Sequence, residues 1–235
     1  MKSLSRYLLF PTVVTFGLYI VLTYGGFDHA LAGFLYRFEG NAWTLRESVL
    51  LTQDFHAGGK ILSIAAWLVA FALLIRELLR SRELWDTRRM LALSQIVISI
   101  AVSALAVSVL KGMTHMDCPW DLADFGGSKQ YVYLFERDTL NAVHGRCFPA
   151  GQASAGYAWV CLYFSALIVG NLRPWRGLLV GVLFGAVLGI VQQFRGAHFL
   201  SHDVVTLWVC WSVSTLIYYG LYLRHREPQG QWAAA

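Results

Sequence analysis

The stretch Arg195-Gly-Ala-His198-Phe-Leu-Ser-His202-Asp203 runs directly into an apolar segment at 204–223, and this junction is the most informative part of the chain. It places two histidines four residues apart, beside an arginine and an aspartate, at the mouth of that segment. A membrane protein gains no stability from ionisable groups at this depth, and such groups usually mark a functional site. The junction therefore predicts a spanning helix that carries chemistry at one end.

The rest of the chain is equally apolar. Of its 235 residues, 57% are hydrophobic and 14% charged, whereas a soluble domain carries about 25% charged residues. A bilayer is crossed by about 20 mostly uncharged residues. We therefore predict one all-α domain over 1–235, an integral membrane six-helix bundle. Its spans are expected at 7–25, 61–75, 91–110, 153–169, 177–191 and 204–223.

The first apolar run follows a basic N-terminus, as a secretory signal peptide does. Its apolar stretch is longer than the roughly 7–15 residues of a signal core. We therefore interpret this run as an uncleaved membrane anchor.

Basic residues are distributed between loops rather than gathered in one patch, which argues against nucleic acid as the partner of a chain with a net charge of +5. The loop between the second and third runs holds Arg76, Arg80, Arg82, Arg88 and Arg89. Cytoplasmic loops are enriched in such residues. We therefore predict a bacterial inner-membrane protein with both termini cytoplasmic, and with 26–60, 111–152 and 192–203 facing outward to the periplasm.

The outward segment at 111–151 is too long to be a simple connection. It is rich in Trp, Pro, Phe, Cys and Gly, so we predict an ordered loop. Segment 27–60 is assigned packing and membrane-surface roles only, with a short amphipathic helix at 44–51.

The four cysteines divide into two pairs. Cys161 and Cys210 lie within predicted spans, where a free thiol packs as a small apolar group. Cys118 and Cys147 lie in the outward loop, in a compartment that permits disulfides. We hypothesise that these two form a disulfide; two free thiols are the alternative.

Three outward segments, at 111–120, 148–154 and 195–203, carry short motifs in a fixed order. In spacing and order they resemble the type 2 phosphatidic acid phosphatase family of membrane lipid phosphatases, whose pattern is K-x6-R-P, then P-S-G-H, then S-R-x5-H-x3-D. The resemblance covers the six-span architecture and all three motifs.

The first two motifs match in part. Lys111 fits the lysine of the first, but Cys118 stands where the family has arginine. Gly151 fits the second, and Gln152 replaces its histidine. A phosphomonoester carries close to two negative charges, so it requires cations and backbone N–H donors around its oxygens. The resemblance implies phosphate contacts from Lys111 and from the N–H groups that follow Gly151.

In the third motif, His198 fits the family's nucleophilic histidine. His202 falls where the family has aspartate, and Gln192 falls where it has arginine. Arg195 is then a second candidate cation for the phosphate. His202, or Asp203 beside it, is a candidate to orient His198, although His202 as an interfacial packing residue is equally compatible with the sequence. The family mechanism implies a phosphohistidine intermediate that water hydrolyses, with no metal or other cofactor.

Gln152 departs most seriously from the family pattern. The family's histidine donates a proton to the leaving alkoxide, and an amide cannot do so at neutral pH; such a transfer is worth about 10²–10⁴-fold in rate. Three explanations stay open. The substrate is a pyrophosphate, whose leaving group needs that proton far less than an alkoxide does; another residue such as His144 or His115 supplies the proton; or activity is low.

These observations predict a membrane lipid phosphatase acting on the outward face, with catalytic roles for His198, His202 and Gln152. Its expected substrate is an anionic phospholipid or a polyprenyl phosphate: polyprenyl pyrophosphate, phosphatidylglycerophosphate, phosphatidate or a lipid A type phosphate. A phosphotransferase of the same fold is one alternative. A catalytically impaired lipid-binding relative is the other, and Gln152 argues for it.

Overall fold

The computed structural model describes residues 2–51, 57–80, 88–134 and 145–223. Within these ranges the chain is helical and forms no β-strand, which confirms the all-α prediction for the described part. Two 3-10 turns, at Pro119–Asp121 and Ala123–Phe125, follow the fourth helix. The α-helices are α1 (Lys2–Tyr24), α2 (Phe27–Phe38), α3 (Gly58–Arg80), α4 (Arg88–Thr114), α5 (Gly151–Tyr157), α6 (Cys161–Ile168), α7 (Trp175–Phe194) and α8 (Leu200–Tyr218).

Five of these helices, α1, α3, α4, α7 and α8, are long and apolar enough to cross a membrane, as in a multi-pass membrane protein. They coincide with five of the six predicted spans. The remaining prediction, at 153–169, falls on α5 and α6, which a 3-10 turn at Ala158–Val160 separates. This segment is not one long helix, so the count of six spans stays a prediction.

Helix α4 forms the centre of the bundle, and α1 and α3 lie at its margin. In their most apolar stretches 56% of α4 residues are buried, against 11% for α1 and 17% for α3. The buried Gln95 amide of α4 donates to the Ser214 carbonyl of α8 at 2.9 Å. The exposed apolar surface of α1 and α3 suits a lipid environment.

Glycines at every fourth position of α7 allow its neighbours to approach its backbone. A Cβ on Gly156 of α5 would overlap the Gly185 backbone, and a Cβ on Gly189 would lie 2.6 Å from the Asp203 carboxyl carbon. Small residues spaced in this way are the usual means of close packing between membrane helices. Helix α7 therefore packs closely against the end of α5 and the first turn of α8.

The sequence did not predict helix α2. Of the helix predicted at 44–51, residues 44–47 form turns and residues 49–51 are helical. The buried Asp28 of α2 accepts a hydrogen bond from the Ser201 N–H at 3.1 Å and a second from Thr23. Burial raises the pKa of Asp28, while its bonds to Ser201 and Thr23 act in the opposite direction. Because the first N–H groups of a helix lack partners within it, α2 stabilises the start of α8.

The described parts of the predicted loop, 111–134 and 145–151, pack against the body of the protein. Leu122 and Phe125 are buried with Phe199, just before α8. The Trp43 indole donates to the Phe125 carbonyl at 3.2 Å. Its ring fills the space beside Gly196, whose φ of +67° favours glycine. The direction in which this segment faces stays a prediction.

Candidate active site

A cavity of about 810 Å³ lies where the three motif segments meet. The predicted site residues that line it are Lys111, Gly151, Gln152, Arg195 and His198. His202 lies directly behind this wall and is fully buried. Segments far apart in the chain thus share one space, because α4 ends, and α5 and α8 begin, at the same end of the bundle.

Lys111 lies in the last turn of α4 against the first residue of α5. Its Nζ is 3.3 Å from the position that a Cβ on Gly151 would occupy. Glycine therefore leaves room for the ammonium group beside the start of α5. Arg146, which the sequence analysis did not assign, adds a further positive charge next to this lysine: its Nη2 lies 3.5 Å from the Cβ position of Gly112.

Arg195 is held by two acceptors. Its Nη1 donates to Gln192 Oε1 at 3.2 Å, and its Nε donates to the Arg46 carbonyl at 3.0 Å. Burial lowers the pKa of Arg195 and nearby Glu47 raises it, but a guanidinium remains charged in proteins. Gln192 stands where the family has arginine. Its side chain instead positions the guanidinium of Arg195, a later residue of the same motif.

His198 and His202 form a direct pair. Their Nδ1 atoms lie 3.4 Å apart, and both rings are buried. Two such nitrogens form a hydrogen bond only when one carries the proton and the other accepts it. When His198 Nδ1 donates, its Nε2 keeps a lone pair, which is the state that a nucleophile requires.

Asp203, the other predicted partner of His198, points elsewhere. Its Oδ2 accepts a hydrogen bond from Gln193 of α7 at 2.6 Å, and its carboxylate packs against Gly189. Of the two candidates to orient His198, the structure brings only His202 to it. Asp203 instead connects α8 to α7.

Cys118 and Cys147 are joined by a disulfide, with their Cα atoms 5.3 Å apart. Both line the cavity, so the position of the missing family arginine holds no cation. Two backbone hydrogen bonds also join the motif segments. The Cys147 N–H donates to the Met116 carbonyl, which links the first segment to the second, and the Trp120 N–H donates to the Gly196 carbonyl, which links the first to the third; each bond is 3.0 Å long. The first motif is thereby attached to both of the others.

The sequence did not indicate two of the residues that line the cavity. Trp120 lines the cavity, and the Arg46 guanidinium carbon lies 4.2 Å from the centroid of its ring. Lys60 also lines the cavity, from the first turn of α3. Its position directly after two glycines at the start of an apolar run was the only signal in the sequence.

The sequence left two alternative proton donors open, and the structure bears on one of them. His115 is absent from the lining residues of the cavity, and His144 lies outside the described residues. Within the described ranges, no group of three or more His, Cys, Asp or Glu side chains is arranged to hold a metal ion.

The fold and the site together define a helical membrane protein with a cationic, histidine-bearing cavity at one end. The family model described as the PAP2 superfamily matches residues 92–226, more than half of the chain, so the protein belongs to this superfamily. The resemblance found in the sequence is confirmed. Members generally are phosphatases, which indicates action on phosphorylated substrates. No curated protein and no solved structure matches the chain.

Proposed function

We propose that this protein is a membrane lipid phosphatase that releases phosphate from an anionic lipid through a phosphohistidine on His198. The observation that carries the proposal is the single cavity in which Lys111, Arg195 and His198 meet. The positions of the arginine-rich loops support an active site at the outer, periplasmic face of a bacterial inner membrane.

The reaction requires two displacements at phosphorus. His198 Nε2 attacks, the bond from phosphorus to the leaving oxygen breaks, and that oxygen keeps the electron pair. Water then attacks the phosphohistidine and releases inorganic phosphate. Lys111 and Arg195 neutralise the phosphoryl oxygens, where charge stabilisation contributes most to such transfers.

The remaining cavity walls support a lipid substrate. Side chains of α3 and α4, including Ile64, Trp67, Ile100 and Ala104, make one wall apolar. Such a wall suits an acyl or prenyl chain entering from the bilayer. Polyprenyl pyrophosphate, phosphatidylglycerophosphate, phosphatidate and lipid A type phosphates all combine such a chain with a phosphate.

The test is phosphate release by the detergent-solubilised protein across these lipids. We expect His198→Ala to reduce release to the uncatalysed background, because it removes the nucleophile. His115→Ala, outside the cavity, is the matched control and should retain wild-type turnover. Full turnover by His198→Ala would remove this residue from the mechanism.

Gln152 on the cavity wall favours a second candidate, a lipid-binding relative without catalytic activity. This candidate predicts lipid binding with no phosphate release by the wild-type chain. Gln152→His would then create activity rather than increase it. Measurable release by the wild-type protein, abolished by His198→Ala, excludes the binding-only function.

A further inference from the structure

We propose that Arg46 is a positioning residue for Arg195, and that residues 39–47, here called the strap, hold the Arg195 guanidinium in place at the cavity. The inference rests on the proposed function, in which Arg195 neutralises phosphoryl oxygens. It extends that function to a segment after α2 that contributes no residue to the cavity lining.

The strap is an ordered turn that follows α2. Gly40 and Asn41 have φ values of +86° and +60°, in the left-handed region that glycine and asparagine adopt most readily. The Glu39 carboxylate accepts hydrogen bonds from the Leu45 N–H at 2.9 Å and from the Thr44 hydroxyl at 3.2 Å. Because one carboxylate closes the turn, the strap holds its last residues in a defined position.

Two side chains of the strap attach it to the region around the cavity. A Cβ on Gly196 would lie 2.5 Å from the ring of Trp43, so the indole occupies that space. The guanidinium carbon of Arg46 lies 4.2 Å from the centroid of the Trp120 ring, within the range of a cation–π contact. The Trp120 N–H in turn donates to the Gly196 carbonyl at 3.0 Å. Both attachments therefore meet at Gly196, the residue directly after Arg195.

The backbone of Arg46 makes the contact with Arg195 itself. The Arg46 carbonyl accepts the Nε–H of Arg195 at 3.0 Å, while the Nη1 of Arg195 donates to Gln192 at 3.2 Å. Two bonded donors restrict the rotamers of this long side chain, so less conformational freedom is lost when an anion binds. The described part of the chain offers the Nη2 of Arg195 no acceptor, which leaves this nitrogen for a phosphate oxygen.

Arg46 acts on Arg195 through this carbonyl rather than through its charge. Burial lowers the pKa of Arg195, Glu47 raises it, and the charge of Arg46 lowers it. A second cation therefore opposes the charged state of Arg195 that phosphate binding requires. Glu47 offsets that cation, because its carboxylate oxygen lies 3.6 Å from the Arg46 Nε. The Arg46 side chain thus serves as an anchor on Trp120, which keeps the carbonyl beside Arg195.

The experiment is a double-mutant cycle between Arg46 and Arg195, measured as kcat/KM for dioctanoyl phosphatidate in detergent. Arg46→Met removes the cation from Trp120 and should lower kcat/KM by about three- to tenfold, the scale of one cation–π contact. Arg195→Met should lower it by about 10- to 100-fold, the scale of a charge-assisted hydrogen bond. In the Arg195→Met background, Arg46→Met should have no further effect, because the residue through which Arg46 acts is gone.

Arg46→Lys keeps a cation over the indole and should retain most of the wild-type kcat/KM. Arg37→Met, at an exposed arginine of α2 outside the cavity lining, is the matched control and should leave kcat/KM unchanged. Phosphorus NMR titration with inorganic phosphate measures binding without turnover, and the Kd should rise in Arg46→Met only when Arg195 is present.

An equal loss from Arg46→Met in both backgrounds, or no loss in either, overturns the inference and leaves the proposed phosphatase standing. Coupling between Arg46 and Arg195 in phosphate binding, with no phosphate released from any of the lipids proposed as substrates, supports the inference and overturns the phosphatase.

Discussion

The two ends of the cavity are built in different ways. Its polar end rests on backbone: Gly151 and Gly196 admit neighbouring side chains, and Trp120 and Cys147 donate main-chain hydrogen bonds across the motifs. Its apolar wall consists of side chains of α3 and α4, and much of α3 is exposed. We therefore expect the polar end to tolerate few substitutions. At the apolar wall, the size of a side chain can change at little cost to the fold.

The largest expected effect is at the polar end, at His202. His202→Phe preserves the aromatic packing against Phe148 and Phe199, whose ring centroids lie 5.1 and 5.5 Å away. It removes the Nδ1 that faces His198, so the nucleophile loses the partner that sets its tautomer. We expect kcat to fall by about 10²-fold or more, since loss of a tautomer-setting partner costs up to about 10⁴-fold in hydrolases. Steady-state kinetics should show little change in KM.

His202→Asn distinguishes orientation from packing. The asparagine oxygen takes the place of Nδ1 as an acceptor, so this variant should recover part of the lost kcat, with a pH profile close to that of the wild type. Equal losses in the Phe and Asn variants would contradict an orienting role and leave His202 as a packing residue.

An intermediate effect is expected at the apolar wall. Ala104 lines the cavity, and Val102, on the same helix, is 39% exposed and does not line it. Ala104→Phe occupies space for a chain, so kcat/KM for a long-chain lipid should fall about tenfold, the scale of a change of pocket size. A soluble short-chain phosphate ester should be hydrolysed as before. Val102→Phe serves as the control. Equal losses on both substrates would show that the phenylalanine disturbs the polar end.

The same contrast explains what could be predicted from the sequence. Spans and motif segments were predictable, because apolar runs and short motifs are local patterns, and five predicted spans coincide with long apolar helices. Lys60 and Trp120 were not, because each enters the cavity only through the packing of distant segments. The choice of His202 over Asp203 as the partner of His198 likewise depends on Gln193 and Gly189, which draw the carboxylate toward α7.

The smallest effect is expected where α2 stabilises the polar end. Asp28→Asn keeps an oxygen that accepts the Ser201 N–H and removes the charge. Burial raises the pKa of Asp28 above its ordinary value of 3.8. As pH rises from 3.8, the unfolded chain therefore loses this proton before the folded one does. The wild type loses stability across that window, up to the raised pKa, and the asparagine variant does not.

Thermal unfolding in detergent, followed as the pH is raised from 3.8, measures the difference. We expect the Tm of Asp28→Asn to rise relative to that of the wild type as the pH rises above 3.8, because only the wild type loses stability by this linkage. Glu47→Gln, at an exposed carboxylate near the same end, should show no such trend. A Tm difference that falls with pH would mean that the Ser201 and Thr23 hydrogen bonds outweigh burial, and that the start of α8 prefers a charged Asp28.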